Sequence, residues 1–289
     1  MPILSDVLSP LRRRLLGVAT AAFATGCSPI RLINELAPTD TYVRTADIPY
    51  GLHPRQRLDV YVPRVRTVPA PVVVFFYGGA WRSGSRADYL FVGEALASRG
   101  IVTFVADYRL YPEVRFPDFV SDSAAAVAWA QTNAARYGAD PARLFVMGHS
   151  AGAYNGAMVA LNAQYLRTAG GAADAIAGFV GLAGPYDFLP LTSASLRNIF
   201  GWPDTSPDTQ PIHFAGSLAP PTLLLTATRD SVVDPGNSMR LAERLRAAAR
   251  PVRTKEYPSL DHRTLVGALA VPLRDLAPVL DDIATFVAA

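Results

Sequence analysis

The sequence predicts an α/β domain: a mostly parallel central sheet flanked by helices, with a small lid-like insert. Three observations carry this. The chain has 289 residues, half of them hydrophobic and 18% charged, which suits one large domain with a sizeable core. Short, continuously apolar runs recur along it, as strands buried on both faces require. Between those runs lie longer stretches of helical spacing, and alternating β and α elements imply parallel pairing with helices on both sides.

The elements follow in order. Residues 1–26 are set apart as a signal segment and 27–44 as a tether, leaving 45–289 as a single domain. Leu58-Asp59-Val60-Tyr61-Val62 alternates as a half-buried strand of an N-terminal β-hairpin. Val72 to Phe76, Ile101 to Ala106, Leu144 to Met147, Phe179 to Leu182 and Thr222 to Thr226 are the apolar runs, and Thr254 to Tyr257 is a further strand. Tyr89 to Arg99, Asp118 to Tyr137 and Ala151 to Ala163 have helical spacing, and Asn237 to Arg250 and Val271 to Val287 supply the last two helices. Residues 185–221 break the rhythm. They are rich in Pro, Ser and Thr, yet hold Phe188, Phe200, Trp202 and Phe214, so a packed insert that walls a pocket is expected rather than a loose loop.

Several function classes have no footprint. Arg12, Arg13 and Arg14 against Asp6 give the first 26 residues +2 of the net +3, so the rest carries only +1 and offers no nucleic-acid surface. One cysteine excludes an internal disulfide, and four scattered histidines lack metal-ligand spacing. Phosphate-loop and dinucleotide glycine patterns are absent, so no cofactor is expected.

Gly148-His149-Ser150-Ala151-Gly152 stands directly after a strand and before a helix. A G-x-S-x-G turn there exposes its serine at strained backbone angles, and the flanking glycines let strand and helix approach. A serine hydroxyl needs a base to take its proton and a carboxylate to orient that base. In this architecture the partners follow in the order serine, acid, histidine. His53 lies too early, His149 adjoins the serine and should point away from it, and His213 sits in the insert. His262, in a loop between the last strand and the final helix, remains. Asp230 and Asp234 both follow the strand Thr222 to Thr226. Asp230 is the nearer to the strand end, whereas Asp234 precedes Pro235 and a helix that it is suited to cap. Tyr77-Gly78-Gly79-Ala80-Trp81, beyond another strand end, offers backbone N–H groups for an oxyanion, with the N–H of Ala151 completing the set.

Together these residues resemble the α/β-hydrolase superfamily over about residues 45–289. Within it they resemble the hormone-sensitive-lipase-like carboxylesterases and the related formamidase and prenylcysteine-methylesterase groups. Asp107-Tyr108-Arg109-Leu110-Tyr111-Pro112-Glu113, then Phe116-Pro117 and Asp122, is similar to a D-Y-R-L-x-P-E segment of that group. Tyr77 to Trp81 is similar to its H-G-G-x-W loop, with Tyr in place of His. Tyr137 to Pro141 is similar to the Tyr-Gly-x-Asp-Pro segment of the methylesterase type. The resemblance implies catalytic Ser150, Asp230 and His262, with Asp230 in a G-x-x-D-x-x-V motif whose glycine is Ala227. It also implies oxyanion donors at Gly79, Ala80 and Ala151, and cleavage of a small-molecule ester. Formamide or amide cleavage would use the same groups, and loss of a triad member would have argued for a non-catalytic binding protein. Trp81, Tyr154 and Tyr186 are expected to line an acyl pocket.

The N-terminus resembles a bacterial lipoprotein signal. Arg12 to Arg14 is a basic region, Leu15 to Phe23 is apolar but too short to span a membrane, and Ala24-Thr25-Gly26-Cys27 ends in the only cysteine. Arg12-Arg13 before Leu15-Leu16 also resembles a twin-arginine signal. Export and lipid anchoring through Cys27 at a bacterial cell envelope are the corresponding expectations.

Overall fold

The computed structural model describes residues 29–67 and 69–289; residues 1–26, expected to be a signal segment, and Cys27 lie outside the described residues. Eight strands form one sheet in the order β1-β2-β4-β3-β5-β6-β7-β8. They are β1 (Tyr42–Pro49), β2 (Arg57–Pro63), β3 (Ala70–Phe76), β4 (Val102–Ala106), β5 (Ala139–His149), β6 (Ile176–Leu182), β7 (Thr222–Ala227) and β8 (Val252–Tyr257). β2 pairs antiparallel with β1 and β4, and all other pairs are parallel. This is the α/β-hydrolase fold. Every residue of β3 and β4 is buried, Thr103 among them. β8, Val-Arg-Thr-Lys-Glu-Tyr, closes one side with exposed charged residues, which discourages pairing with another chain.

The helices are α1 (Pro29–Glu35), α2 (Leu90–Ala97), α3 (Asp118–Asn133), α4 (Ala151–Leu161), α5 (Ala163–Thr168), α6 (Ala194–Phe200), α7 (Gly236–Ala247), α8 (His262–Gly267) and α9 (Val279–Ala288). α3 runs on as a 3-10 turn to Tyr137 and stops at Gly138, whose φ of 72° is a left-handed C-cap. α4 is buried along its whole length.

Three departures from the sequence pattern have local causes. The expected helix from Val271 to Val287 is a 3-10 segment Val271–Leu276 followed by α9. Pro278 supplies no N–H, and Ala277 before it is extended at φ −168°, ψ 154°. The stretch read as a loop after β8 begins α8 at His262. Asp261 accepts from the N–H groups of Arg263 and Thr264 while Thr264 bonds back, a capping box that starts a helix at once. The stretch read as a tether contains α1, whose Asn34 donates to the Ala87 carbonyl and accepts from the Phe91 N–H.

The sheet order positions the site. β3 lies between β4 and β5, so the connections after β3 and after β5 run toward opposite sides of the sheet, the switch point at which open α/β sheets place their sites. Phe76 pairs with Gly148, which sets the loop after β3 beside the turn after β5.

Candidate active site

Ser150 sits between β5 and α4 at φ 54° and ψ −123°. A non-glycine residue at positive φ costs on the order of 1–3 kcal/mol and persists only where packing over-determines it. The packing here is backbone on backbone: a Cβ on Gly152 would lie 2.1 Å from the Phe76 carbonyl oxygen. The Ser150 N–H donates to the Leu182 carbonyl at 2.9 Å, which ties the turn to β6.

His262 Nε2 lies 2.9 Å from Ser150 Oγ, and its Nδ1 lies 2.7 Å from Asp230 Oδ2. A carboxylate can only accept, so Nδ1 carries the proton and Nε2 is left free to receive the serine's. The other oxygen of Asp230 accepts from the N–H groups of Val232 and Val233 at 2.8 and 2.9 Å, and its side chain is buried. Asp234 has the structural role instead: its Oδ1 accepts from the Gly236 N–H at the start of α7, and its side chain is exposed.

Gly78, Gly79 and Ala80 follow β3 in a tight turn, in which Arg82 and Ser83 both donate to the Gly79 carbonyl. Gly79 has φ 131°, Ala80 50° and Trp81 57°. Among the described residues, the N–H groups of Gly79, Ala80 and Ala151 donate to no acceptor. A Cβ on Gly78 would lie 2.9 Å from the Ser150 Cβ, so only glycine lets the loop reach the serine.

A family model described as BD-FAE matches residues 58–245, which contain the serine turn, the glycine loop and Asp230. The chain belongs to the BD-FAE family. It is 34% identical over 241 residues to "Esterase LipC" of Mycobacterium tuberculosis, covering 76% of this chain and 60% of that protein. It is 30% identical over 248 residues to "Isoprenylcysteine alpha-carbonyl methylesterase ICME" of Arabidopsis thaliana, covering 78% and 58%. The chain thus spans about 60% of the length of these curated relatives. Among solved structures it resembles the Pyrobaculum calidifontis esterase, with TM-score 0.72 and 24% identity over 97% of this chain and 98% of that one. It also resembles a "Truncated form of carbohydrate esterase from gut microbiota", with TM-score 0.75 and 20% identity over 87% and 97%. The kinship to the carboxylesterase and prenylcysteine-methylesterase groups expected from the motifs stands with them.

In this BD-FAE member the three aromatics expected at the pocket are buried. Trp81 is 3% exposed and donates from Nε1 to Asn155 Oδ1 at 2.9 Å. Tyr154 is fully buried and donates to the Thr209 carbonyl at 2.7 Å. Tyr186 is fully buried too, with its hydroxyl turned toward Gly181 and Gly184. Trp81 and Tyr154 pack edge-on to each other and to Phe200, with centroids 4.9–5.4 Å apart. Such pairs contribute about 0.5–1.5 kcal/mol each beyond their burial. With Phe200, Trp81 and Tyr154 form one aromatic cluster.

The loop's support is the part that sequence reasoning missed. Tyr77 stands where the resemblance has histidine, and its hydroxyl donates to Asp107 Oδ1 at 2.7 Å while accepting from Arg55 Nη2 at 2.7 Å. Tyr108 donates to the Tyr77 carbonyl at 2.7 Å, and both rings stack. Burial and the Asp107 carboxylate hold the Tyr77 phenol far above its ordinary range, so it stays a neutral donor. Asp107 also binds the Arg86 N–H and guanidinium, and Arg109 clasps Asp122 through two nitrogens. The signal was present in the D-Y-R-L segment, but its meaning lies in contacts with residues 55, 77 and 86.

Of the remaining histidines, His53 pairs with Glu113 at 2.6 Å and His213 with Asp208 at 3.3 Å. Beside α3 and α5 a groove of about 570 Å³ opens, lined by Phe116, Tyr165, Asn162, Asp208 and Phe214, with none of Ser150, Asp230 or His262 on its wall. Among the described residues no helix is long and apolar enough to cross a membrane.

Proposed function

We propose that this protein is a serine hydrolase that cleaves carboxylic esters through an acyl-enzyme on Ser150. One observation carries the reading: the hydrogen-bonded chain from Asp230 through His262 to Ser150. His262 takes the hydroxyl proton as Ser150 attacks the ester carbonyl, and Asp230 holds the ring in that tautomer and stabilises the imidazolium. The developing oxyanion accepts from the N–H groups of Gly79, Ala80 and Ala151. Collapse of the intermediate expels the alcohol, which receives its proton from His262. Water then attacks the acyl-enzyme with the same base, releasing the acid and restoring Ser150.

Hydrolysis of p-nitrophenyl esters from acetate to palmitate tests this, with Ser150→Ala as the control. Wild type is expected to turn over the shorter acyl esters, and the variant to lose about 10⁴-fold or more of kcat. No activity on any ester, or full activity in the variant, sinks the reading.

The N-terminal segment is proposed on sequence alone as an export signal, with Cys27 as the lipidated first residue of a cell-envelope protein. Intact mass of the protein from its host membrane tests it. A chain still beginning at an unmodified Met1 overturns it.

A further inference from the structure

His149, directly before the nucleophile, has a second role in this site. Its Nε2 lies 2.9 Å from the backbone carbonyl oxygen of His262, and the two imidazole rings lie 4.8 Å apart, inclined at 44°. A carbonyl only accepts, so Nε2 carries the proton and Nδ1 is the bare nitrogen. Nδ1 is buried, packed beside Gly78, and has no hydrogen-bond partner among the described residues. A second proton would therefore sit at a buried nitrogen that faces no acceptor among the described residues. Burial, and next the His262 ring, push its pKa down to about 3. The ring is a fixed neutral donor.

The tether closes a circuit. His262 is held at three points: Nδ1 by Asp230, Nε2 by Ser150, and its carbonyl by the residue bonded to Ser150. His262 opens the six-residue helix α8 on a connection from the exposed edge strand β8, so its own segment is a weak mount. β5, at the centre of the sheet, is a rigid one.

We propose that His149 is a positioning residue that binds the backbone of His262 to the β5–α4 turn, so that nucleophile and base keep one geometry. This rests on the reading of Ser150 and His262 given above. It is tested with His149→Phe, which keeps a ring against His262 but removes the donor, and His149→Gln, which keeps an N–H donor. Both are compared with wild type and Ser150→Ala for kcat, KM, thermal midpoint and the rate of serine labelling by an organophosphonate. The expected result is a fall in kcat and labelling rate of about tenfold to a hundredfold in His149→Phe, with KM within about threefold. His149→Gln recovers most of that loss even if both variants melt lower than wild type. Equal kcat in His149→Phe and wild type, or equal losses in both variants, overturns the proposal while Ser150→Ala remains inactive. Full activity in Ser150→Ala overturns the proposal and the triad reading together.

Discussion

The turn carrying Ser150 and the insert after β6 border the same glycine loop, yet they are built in opposite ways. Ser150 to Leu161 has no exposed residue, and its geometry is set by backbone contacts that tolerate no added carbon. The insert is held by a few side-chain ties. Asn237 Oδ1 accepts from the N–H groups of Tyr186 and Asp187, Gln210 accepts from Phe188, and Arg240 clasps Asp187. Phe188 and Phe200 anchor it on Trp81 and Tyr154, while Trp202 stays 54% exposed with Arg197 over its ring. The contrast separates two tasks. A serine held within hydrogen-bond reach of a histidine needs an incompressible mount, whereas a surface insert can vary without disturbing it.

The comparison can be broken at the rigid side first. Asp230→Asn is expected to lower kcat about 10⁴-fold by reversing the tautomer of His262, and Asp234→Asn to leave kcat within about twofold. Ester kinetics on both variants would overturn the assignment if Asp234 proved the costlier loss. Gly152→Ala should be next in size. Its Cβ has no space against the Phe76 carbonyl, so about 3 kcal/mol or more of stability is expected to be lost, read by denaturant unfolding.

A smaller effect concerns acid. His149 has a folded pKa near 3 against 6.5 when unfolded, so below about pH 6.5 the unfolded chain takes up a proton that the native one refuses. This depressed pKa contributes stability that is present above pH 6.5 and falls on acidification toward pH 3, by about 2 kcal/mol between pH 7 and pH 5. His149→Gln removes that term, so the gap between unfolding free energies at the two pH values should narrow by this amount. An unchanged gap would show that the ring titrates freely. Smallest is Trp202→Ala in the insert, expected to change stability by less than about 0.5 kcal/mol while altering KM across the ester series. A large loss of stability there would erase the contrast between the two regions.

Much of the fold was legible because it rests on local pattern. The runs of β3, β4 and β7 are apolar but for Thr103, Thr222 and Thr226, whose hydroxyls donate to the carbonyls of Ile101, Pro220 and Lys255, so burial on both faces is the stable solution. Ser150 was legible because its glycines advertise close backbone approach. The role of the aromatics is less legible, for the same local reason. Trp81, Tyr154 and Tyr186 look alike in sequence whether they floor a site or line it, and only their neighbours decide. The last helix is shorter than its apolar spacing suggests, because that spacing continues through Pro278, where the helix cannot.

By itself, then, the sequence determined the α/β alternation, the strained serine turn, the glycine loop and a short list of partners in chain order. Such features depend on residues within a few positions of one another, whose sterics and hydrogen bonding are local. The tertiary structure decided which carboxylate meets His262, where Tyr77 finds its anchor, and what His149 does beside the serine. Those contacts join residues 22 to 113 positions apart, and no periodicity encodes a bond between groups that only the closing of the sheet brings together.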